Sequence, residues 1–193
     1  MGMVTMFTDA SVHPQLGTAG WGAWIKGDGR SSKLFSGPLM TNSDPREPRF
    51  QGSSNKAELM AMSEALQAAH AAGYFTEQDN LLMMQTDCAA AISLILAAMP
   101  KARFSPHPDG MQDIQPRSME NACQFEKSAL SHISYRLLTI NPWRETYLTL
   151  RHVKGHKNGS NRQWANRECD RLAYNAAVAA AGQNHLAKRG QRQ

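Results

Sequence analysis

The feature that most constrains how this chain can fold is a change of residue pattern between positions 38 and 55. Ahead of it lie β-favouring runs punctuated by glycine turns. Met3 to Thr8 reads as a strand ending at the polar Asp9-Ala10-Ser11, and Trp21 to Ile25 as a second strand closed by the hairpin turn Lys26-Gly27-Asp28-Gly29. Ser32 to Ser36 is the returning strand, and residues 38–54, rich in Pro, Ser, Asn and Arg, form a long loop. Beyond it helices alternate with short apolar runs. Asn55 to Gly73 carries Leu59, Met62 and Leu66 on one side, with Ala65 and Ala69 filling it and Gly73 as a stop. Leu81 to Thr86 suits a buried strand, and Ala89 to Met99 a helix that Pro100 ends. Residues 100–118, with Pro100, Pro106, Pro108 and Pro116, read as irregular. Met119 to Leu138 is helical, Thr146 to Val153 alternates as a strand, Lys154 to Asn161 is a loop, and the last helix runs from Arg162 to Ala181.

This order predicts an α/β fold with a five-stranded mixed sheet flanked by helices. Strands β1-β2-β3 form an antiparallel meander, and two later strands join in parallel through helical crossovers. At 193 residues the chain suits one domain, spanning 1–183, followed by a basic tail at 184–193 carrying Lys188, Arg189 and Arg192. There is no run of about 18 apolar residues, which excludes a helical membrane span, and no secretory address at the N-terminus. Three widely spaced cysteines, Cys88, Cys123 and Cys169, argue against a disulfide framework or a zinc ribbon and for a cytoplasmic protein. The net charge of +5 suits a polyanionic partner without proving one.

Four acids stand in short polar contexts: Asp9 in Phe7-Thr8-Asp9-Ala10-Ser11, Glu58 in Asn55-Lys56-Ala57-Glu58-Leu59, Asp87 in Gln85-Thr86-Asp87-Cys88, and Asp170 in Glu168-Cys169-Asp170-Arg171. Each has an ordinary explanation. Asp9 with Ser11 suits a turn at a strand end, Asn55-x-x-Glu58 a capping box, Asp87 a helix N-cap, and Asp170 an exposed ion pair with Arg167. Brought together, they are hard oxygen ligands suited to magnesium or manganese.

The surroundings of the acids point further. Phe7-Thr8-Asp9-Ala10-Ser11, Asn55-Lys56-Ala57-Glu58-Leu59-Met60-Ala61, Thr86-Asp87, Val153-Lys154-Gly155-His156 and Asn166-Arg167-Glu168-Cys169-Asp170-Arg171-Leu172-Ala173 resemble, in the same order, the five motifs of the type 1 ribonuclease H family. The likeness runs from Val4 to Ala173 and leaves residues 100–118 and the tail unmatched. It implies a ribonuclease H-like fold and an endonuclease that hydrolyses the RNA strand of RNA-DNA hybrids, giving 5'-phosphate and 3'-hydroxyl ends. It also implies two magnesium ions, with manganese as a substitute. Asp9 would bridge the ions, Glu58 and Asp87 would complete one, and Asp170 would hold the other. Two cations about 3.5 to 4 Å apart suit an in-line phosphodiester displacement.

His156 matches the family histidine that helps move protons or release product. A zinc pair of His152 and His156 is the other reading, but a spacing of four shares a face only in a helix, and this stretch reads as strand into loop. Ser11, Ser53, Ser54 and Asn55 are candidates for substrate contact, the last three beside Glu58, where a 2'-hydroxyl must be sensed. Trp21 and Trp24 are candidates for core packing, with stacking on nucleic acid as the alternative. Lys101, Arg103 and Arg117 against Asp109 and Asp113 form only a weak basic footprint after the third motif. A monomer without an obligate protein partner is the default. The rivals are a silent hybrid-binding module and a nuclease of the same fold that acts on DNA. The Asp-x-Glu pattern of proofreading exonucleases is absent, since residue 11 is Ser.

Overall fold

A computed structural model of the chain describes residues 2–39, 53–75, 79–107, 110–140, 148–154 and 161–190. The expected alternation forms, as β1 (Gly2–His13), β2 (Thr18–Gly27), β3 (Lys33–Leu39), α1 (Ser54–Ala71), β4 (Asp79–Thr86), α2 (Ala89–Ala98), β5 (Arg103–Phe104), α3 (Gln124–Ile140), β6 (Leu148–His152) and α4 (Asn161–Gly190). The sheet order is β3-β2-β1-β4-β6-β5, with β1-β2 and β2-β3 antiparallel and the remaining pairs parallel.

The sheet has six strands among the described residues, where five were expected. The addition is Arg103–Phe104, inside the Pro-rich stretch read as irregular, which pairs with Thr149 and Leu150. An edge strand presents unmatched amides and carbonyls, and even two residues of backbone satisfy part of that row. A second difference concerns β1, which continues past Asp9 to His13, because β2 supplies partners all the way, with Asp9 opposite Gly22 and His13 opposite Thr18. Asp9 and Ser11 therefore lie within a strand, not in a turn. Helix α4 extends to Gly190, beyond the Ala181 at which its sequence pattern fades.

Helix caps also depart from the sequence reading. Ser53 caps α1, its Oγ accepting from the Lys56 amide at 3.3 Å, so Asn55 and Glu58 do not form the capping box. Glu58 falls in the second turn, too far along the helix to serve the first amides. The box-like contact is found instead at α3, where Glu126 accepts from the Cys123 amide at 2.9 Å. Cys88 occupies the N-cap position of α2 without a side-chain bond, which leaves Asp87 outside the capping role. Gly73, at φ 72°, turns the chain out of α1 as expected.

The main core joins Val4, Met6, Leu82 and Met84 of the sheet to Leu59, Met62 and Leu66 of α1, Ile92 and Ile95 of α2, and Ile133 of α3. A smaller cluster of Phe7, Val153, Ala165 and Cys169, with Trp24 packed edge-on to Phe7, lies under α4. Trp21 is buried and Trp24 partly so, which assigns both to packing. The three cysteines are unbridged. No helix among the described residues is long and apolar enough to cross a membrane.

Helix α4 approaches β2 at backbone distance. A Cβ added to Gly22 would lie 2.2 Å from the Cys169 carbonyl oxygen, and one added to Gly20 would lie 2.3 Å from that of Ala173. Only glycine admits this contact. Gly182, in the same helix, has nothing within 4 Å of an added Cβ. Gly20→Ala and Gly22→Ala should each destabilise the protein by about 1–3 kcal/mol through overpacking. Gly182→Ala should stabilise it by about 0.5–1 kcal/mol through helix propensity. Urea unfolding midpoints check both signs.

Candidate active site

Parallel pairing of β1 with β4 sets the first two acids side by side. The last register pair is Phe7 with Gln85, and two residues further along each strand stand Asp9 and Asp87. From this point the chain order departs in both directions, through β2 and β3 on one side and β6 and β5 on the other. Such switch points at the carboxyl ends of parallel strands are where open α/β sheets form their sites.

Helix α1 brings the third acid. With Leu59, Met62 and Leu66 packed in the core, Glu58 is directed at β1, where its Oε1 accepts from the Ala10 amide at 3.3 Å. The same amide donates to Asp9 Oδ1 at 2.8 Å. Carboxylate oxygens of Asp9, Glu58 and Asp87 all lie within 4.8 Å of one another.

Asp9 and Glu58 are each only 7% exposed, while Asp87 is half-buried. Burial, followed by the charges of Asp87 and Asp170, pushes the Asp9 carboxyl up to about 8, against the weaker opposing pull of the Ala10 amide and of Glu58. Burial also holds Glu58 well above the usual carboxylate range, reinforced by the charges of Asp9 and Asp87. Glu58 Oε2 is buried and has no hydrogen-bond partner.

Asp170 approaches from the other face of the sheet. Cys169 is fully buried, its Sγ donating to the Phe7 carbonyl at 3.5 Å, and Asp170 beside it is exposed at the rim. Because Gly22 is the cross-strand partner of Asp9, the contact of α4 with Gly22 brings Asp170 near enough for its charge to act on Asp9. In the same turn of α4, Arg171 bonds Glu168 at 2.7 Å.

The polar candidates are placed unequally. Ser11 is half-buried in β1 opposite Gly20, and Ser54 is exposed in the first turn of α1. The Ser53 oxygen serves as the helix cap. Asn55 is held by two contacts, its Nδ2 donating to Glu126 at 3.4 Å and its Oδ1 accepting from Cys88 Sγ at 3.7 Å. His156 lies outside the described residues. His152 belongs to β6, and both of its ring nitrogens are engaged, one by the Met111 amide and one by the Asp87 carbonyl. That leaves no nitrogen for the zinc reading. Sequence reasoning missed Glu126, and it gave His152 no role beyond the zinc pair that it set aside. A Cys123-x-x-Glu126 spacing was the only signal for the first, and cysteine is a poor cap.

The cluster suits a hard divalent cation. Its donors are all carboxylate oxygens, one of them orphaned in the interior, and their crowding is tolerable only when protons or cations neutralise it.

The architecture is that of ribonuclease H-like proteins. The RNase H1 of the archaeon Halobacterium salinarum NRC-1 superposes with a TM-score of 0.56 at 14% identity, over 90% of this chain and 96% of that one. The N-terminal RNase H domain of rv2228c from Mycobacterium tuberculosis gives 0.56 at 14% identity, over 95% and 99%. LC11-RNase H1, isolated from compost by a metagenomic approach and solved in complex with an RNA/DNA hybrid, gives 0.57 at 16% identity, over 92% and 98%. No curated protein matches the chain by sequence. The RNase H family model matches residues 1–178, and the chain belongs to that family, as its type 1 motifs implied.

The raised Asp9 carboxyl makes stability depend on pH. Between the ordinary value of 3.8 and about 8 the folded protein keeps a proton that the unfolded chain has released. Metal-free stability should therefore fall as pH rises through that window. Asp9→Asn should flatten the fall, and millimolar magnesium or manganese should raise the melting temperature of the unsubstituted protein at pH 8 more than at pH 5. Melting curves with and without chelator decide it, and parallel pH profiles for the two proteins would contradict it.

Proposed function

We propose that this protein is a metal-dependent endoribonuclease that hydrolyses the RNA strand of RNA-DNA hybrids. The observation that carries the reading is the convergence of Asp9, Glu58 and Asp87 around an unpartnered buried carboxylate oxygen, with Asp170 at the rim. Family membership and the fold shared with a neighbour solved on an RNA/DNA hybrid support it.

Asp9, Glu58, Asp87 and Asp170 would hold two magnesium ions, with manganese as a substitute. Such ions supply electrostatic stabilisation to the attacking and departing oxygens of a phosphodiester and lower the pKa of the nucleophilic water. The chain's own part is to fix that charge. The Ala10 amide orients Asp9 and Glu58 together, and the sheet register sets Asp87 beside them. In the proposed hydrolysis a water oxygen bonds to phosphorus and the bond from phosphorus to the 3' oxygen breaks. The products are a 5'-phosphate and a 3'-hydroxyl. His156 would take part in proton movement or product release. Ser11, Ser53, Ser54 and Asn55 would contact the strand, with Asn55 held by Glu126 and Cys88. Burying two carboxylates is costly for a module that merely binds, which favours catalysis over silent hybrid binding.

Labelled RNA-DNA hybrid, double-stranded DNA and double-stranded RNA, each with magnesium or with chelator, test the proposal. Internal cleavage of the hybrid alone is expected. Cation stabilisation is worth several kcal/mol, and each ~1.4 kcal/mol is tenfold in rate. Asp9→Asn and Asp87→Asn should therefore each lose at least about a hundredfold in rate. Equal cutting of DNA, or binding without cutting, would overturn the reading in favour of one rival or the other. Hybrid affinity should fall steeply between low and physiological salt, since phosphate contacts dominate it.

A further inference from the structure

The five motifs leave residues 100–118 without a role, and the structure ties the described parts of this segment, 100–107 and 110–118, to the acidic cluster. One end of it is anchored on β6. Beyond the Arg103–Phe104 pairing, the Ser105 amide donates to the Leu150 carbonyl at 2.9 Å, and Arg151 Nη2 donates to Ser105 Oγ at 2.9 Å. The other end is anchored on α2. There the Arg117 amide donates to the Ser93 carbonyl at 3.2 Å, and Ser93 Oγ donates to the Gln115 carbonyl at 2.5 Å. Ile114 between the anchors is buried. The described parts of the segment, residues 103–107 and 110–117, form a strap against the end of β6.

The strap reaches the site through the side chain of His152. The Met111 amide donates to His152 Nδ1 at 3.0 Å, and a Cβ on Gly110 would lie 2.0 Å from the His152 carbonyl oxygen. His152 is 9% exposed, and its Nε2 lies 2.9 Å from the Asp87 carbonyl oxygen. An amide only donates and a carbonyl only accepts, so Nδ1 is bare and Nε2 carries the hydrogen. The ring thus relays one hydrogen bond from the strap to the backbone of Asp87.

Asp87 depends on that backbone more than its partners do. Its carboxylate caps no helix, and Cys88 after it makes no cap bond. The corner is held by the Cys88 amide donating to Thr86 Oγ1 at 3.1 Å, the Val153 amide donating to the Thr86 carbonyl at 3.0 Å, and the His152 bond. Of these three, only the last grips Asp87 itself. Resting on the metal-dependent reading above, we infer that His152 is a positioning residue that fixes Asp87 for cation binding, and that the strap, through Gly110 and Met111, locks its ring in the tautomer this requires.

Two substitutions divide the ring's functions. His152→Asn keeps an acceptor near Nδ1 and loses the group that reaches Asp87, whereas His152→Gln keeps a donor near Nε2 and loses the acceptor for Met111. Manganese binding to the substrate-free protein, by calorimetry, should weaken about ten- to hundredfold in His152→Asn and stay within about threefold in His152→Gln. Exchange protection of the Met111 amide should move the opposite way, kept in Asn and lost in Gln. In cleavage assays the Asn variant should need more magnesium for half-maximal rate, with the KM for hybrid unchanged. Gly110→Ala, which pushes the strap from the His152 carbonyl, should also weaken manganese binding. Unchanged manganese affinity in His152→Asn, or equal weakening in both variants, would overturn the inference, and so would absence of manganese binding in the unsubstituted protein. Manganese binding without hybrid cleavage would overturn only the proposed activity, and the difference between the variants would still decide the role of His152.

Discussion

One backbone amide holds the centre of this protein together. The N–H of Ala10 donates to Asp9 on its own strand and to Glu58 on helix α1, and so joins sheet to helix at the point where Asp9, Glu58 and Asp87 converge. Two nearly buried carboxylates beside a third repel one another in a medium that screens poorly. A single donor cannot neutralise them, and the raised Asp9 and Glu58 carboxyls express the deficit. The fold tolerates the strain because its apolar core fixes both elements independently of the acids, through Met6 and Met84 in the sheet and Leu59 and Met62 in the helix.

The remaining acids reach this centre by contacts that carry no charge. Asp170 arrives because β2 offers glycine at positions 20 and 22, where α4 can lie backbone to backbone and bury Cys169 against Phe7. Asp87 arrives by strand register, and His152 and the strap hold its carbonyl. Close packing and local hydrogen bonds therefore set the spacing of groups that would otherwise move apart.

Much of this was legible in the chain. The hydrophobic spacing of Leu59, Met62 and Leu66 marks α1, the Trp21–Ile25 run marks β2, and the five ordered motifs mark the family. Errors fell where a local rule competed with a tertiary one. Asn55-x-x-Glu58 satisfies the spacing of a capping box, but Ser53 takes the cap and frees Glu58 for the sheet. Asp87 has the chemistry of an N-cap and stands one residue too early. Arg103–Phe104 carries no strand pattern and becomes one because the β6 edge needs a partner.

The sequence by itself determined which residues alternate, where helices follow strands, and which family the chain belongs to, since these follow from side-chain periodicity and from motifs a few residues long. Tertiary structure alone decided that Ala10 shares its amide, that Gly22 seats the helix bearing Asp170, and that His152 links a Pro-rich strap to Asp87. Each of these contacts joins segments distant along the chain. Their geometry depends on sheet register and interatomic distance, which no local pattern encodes.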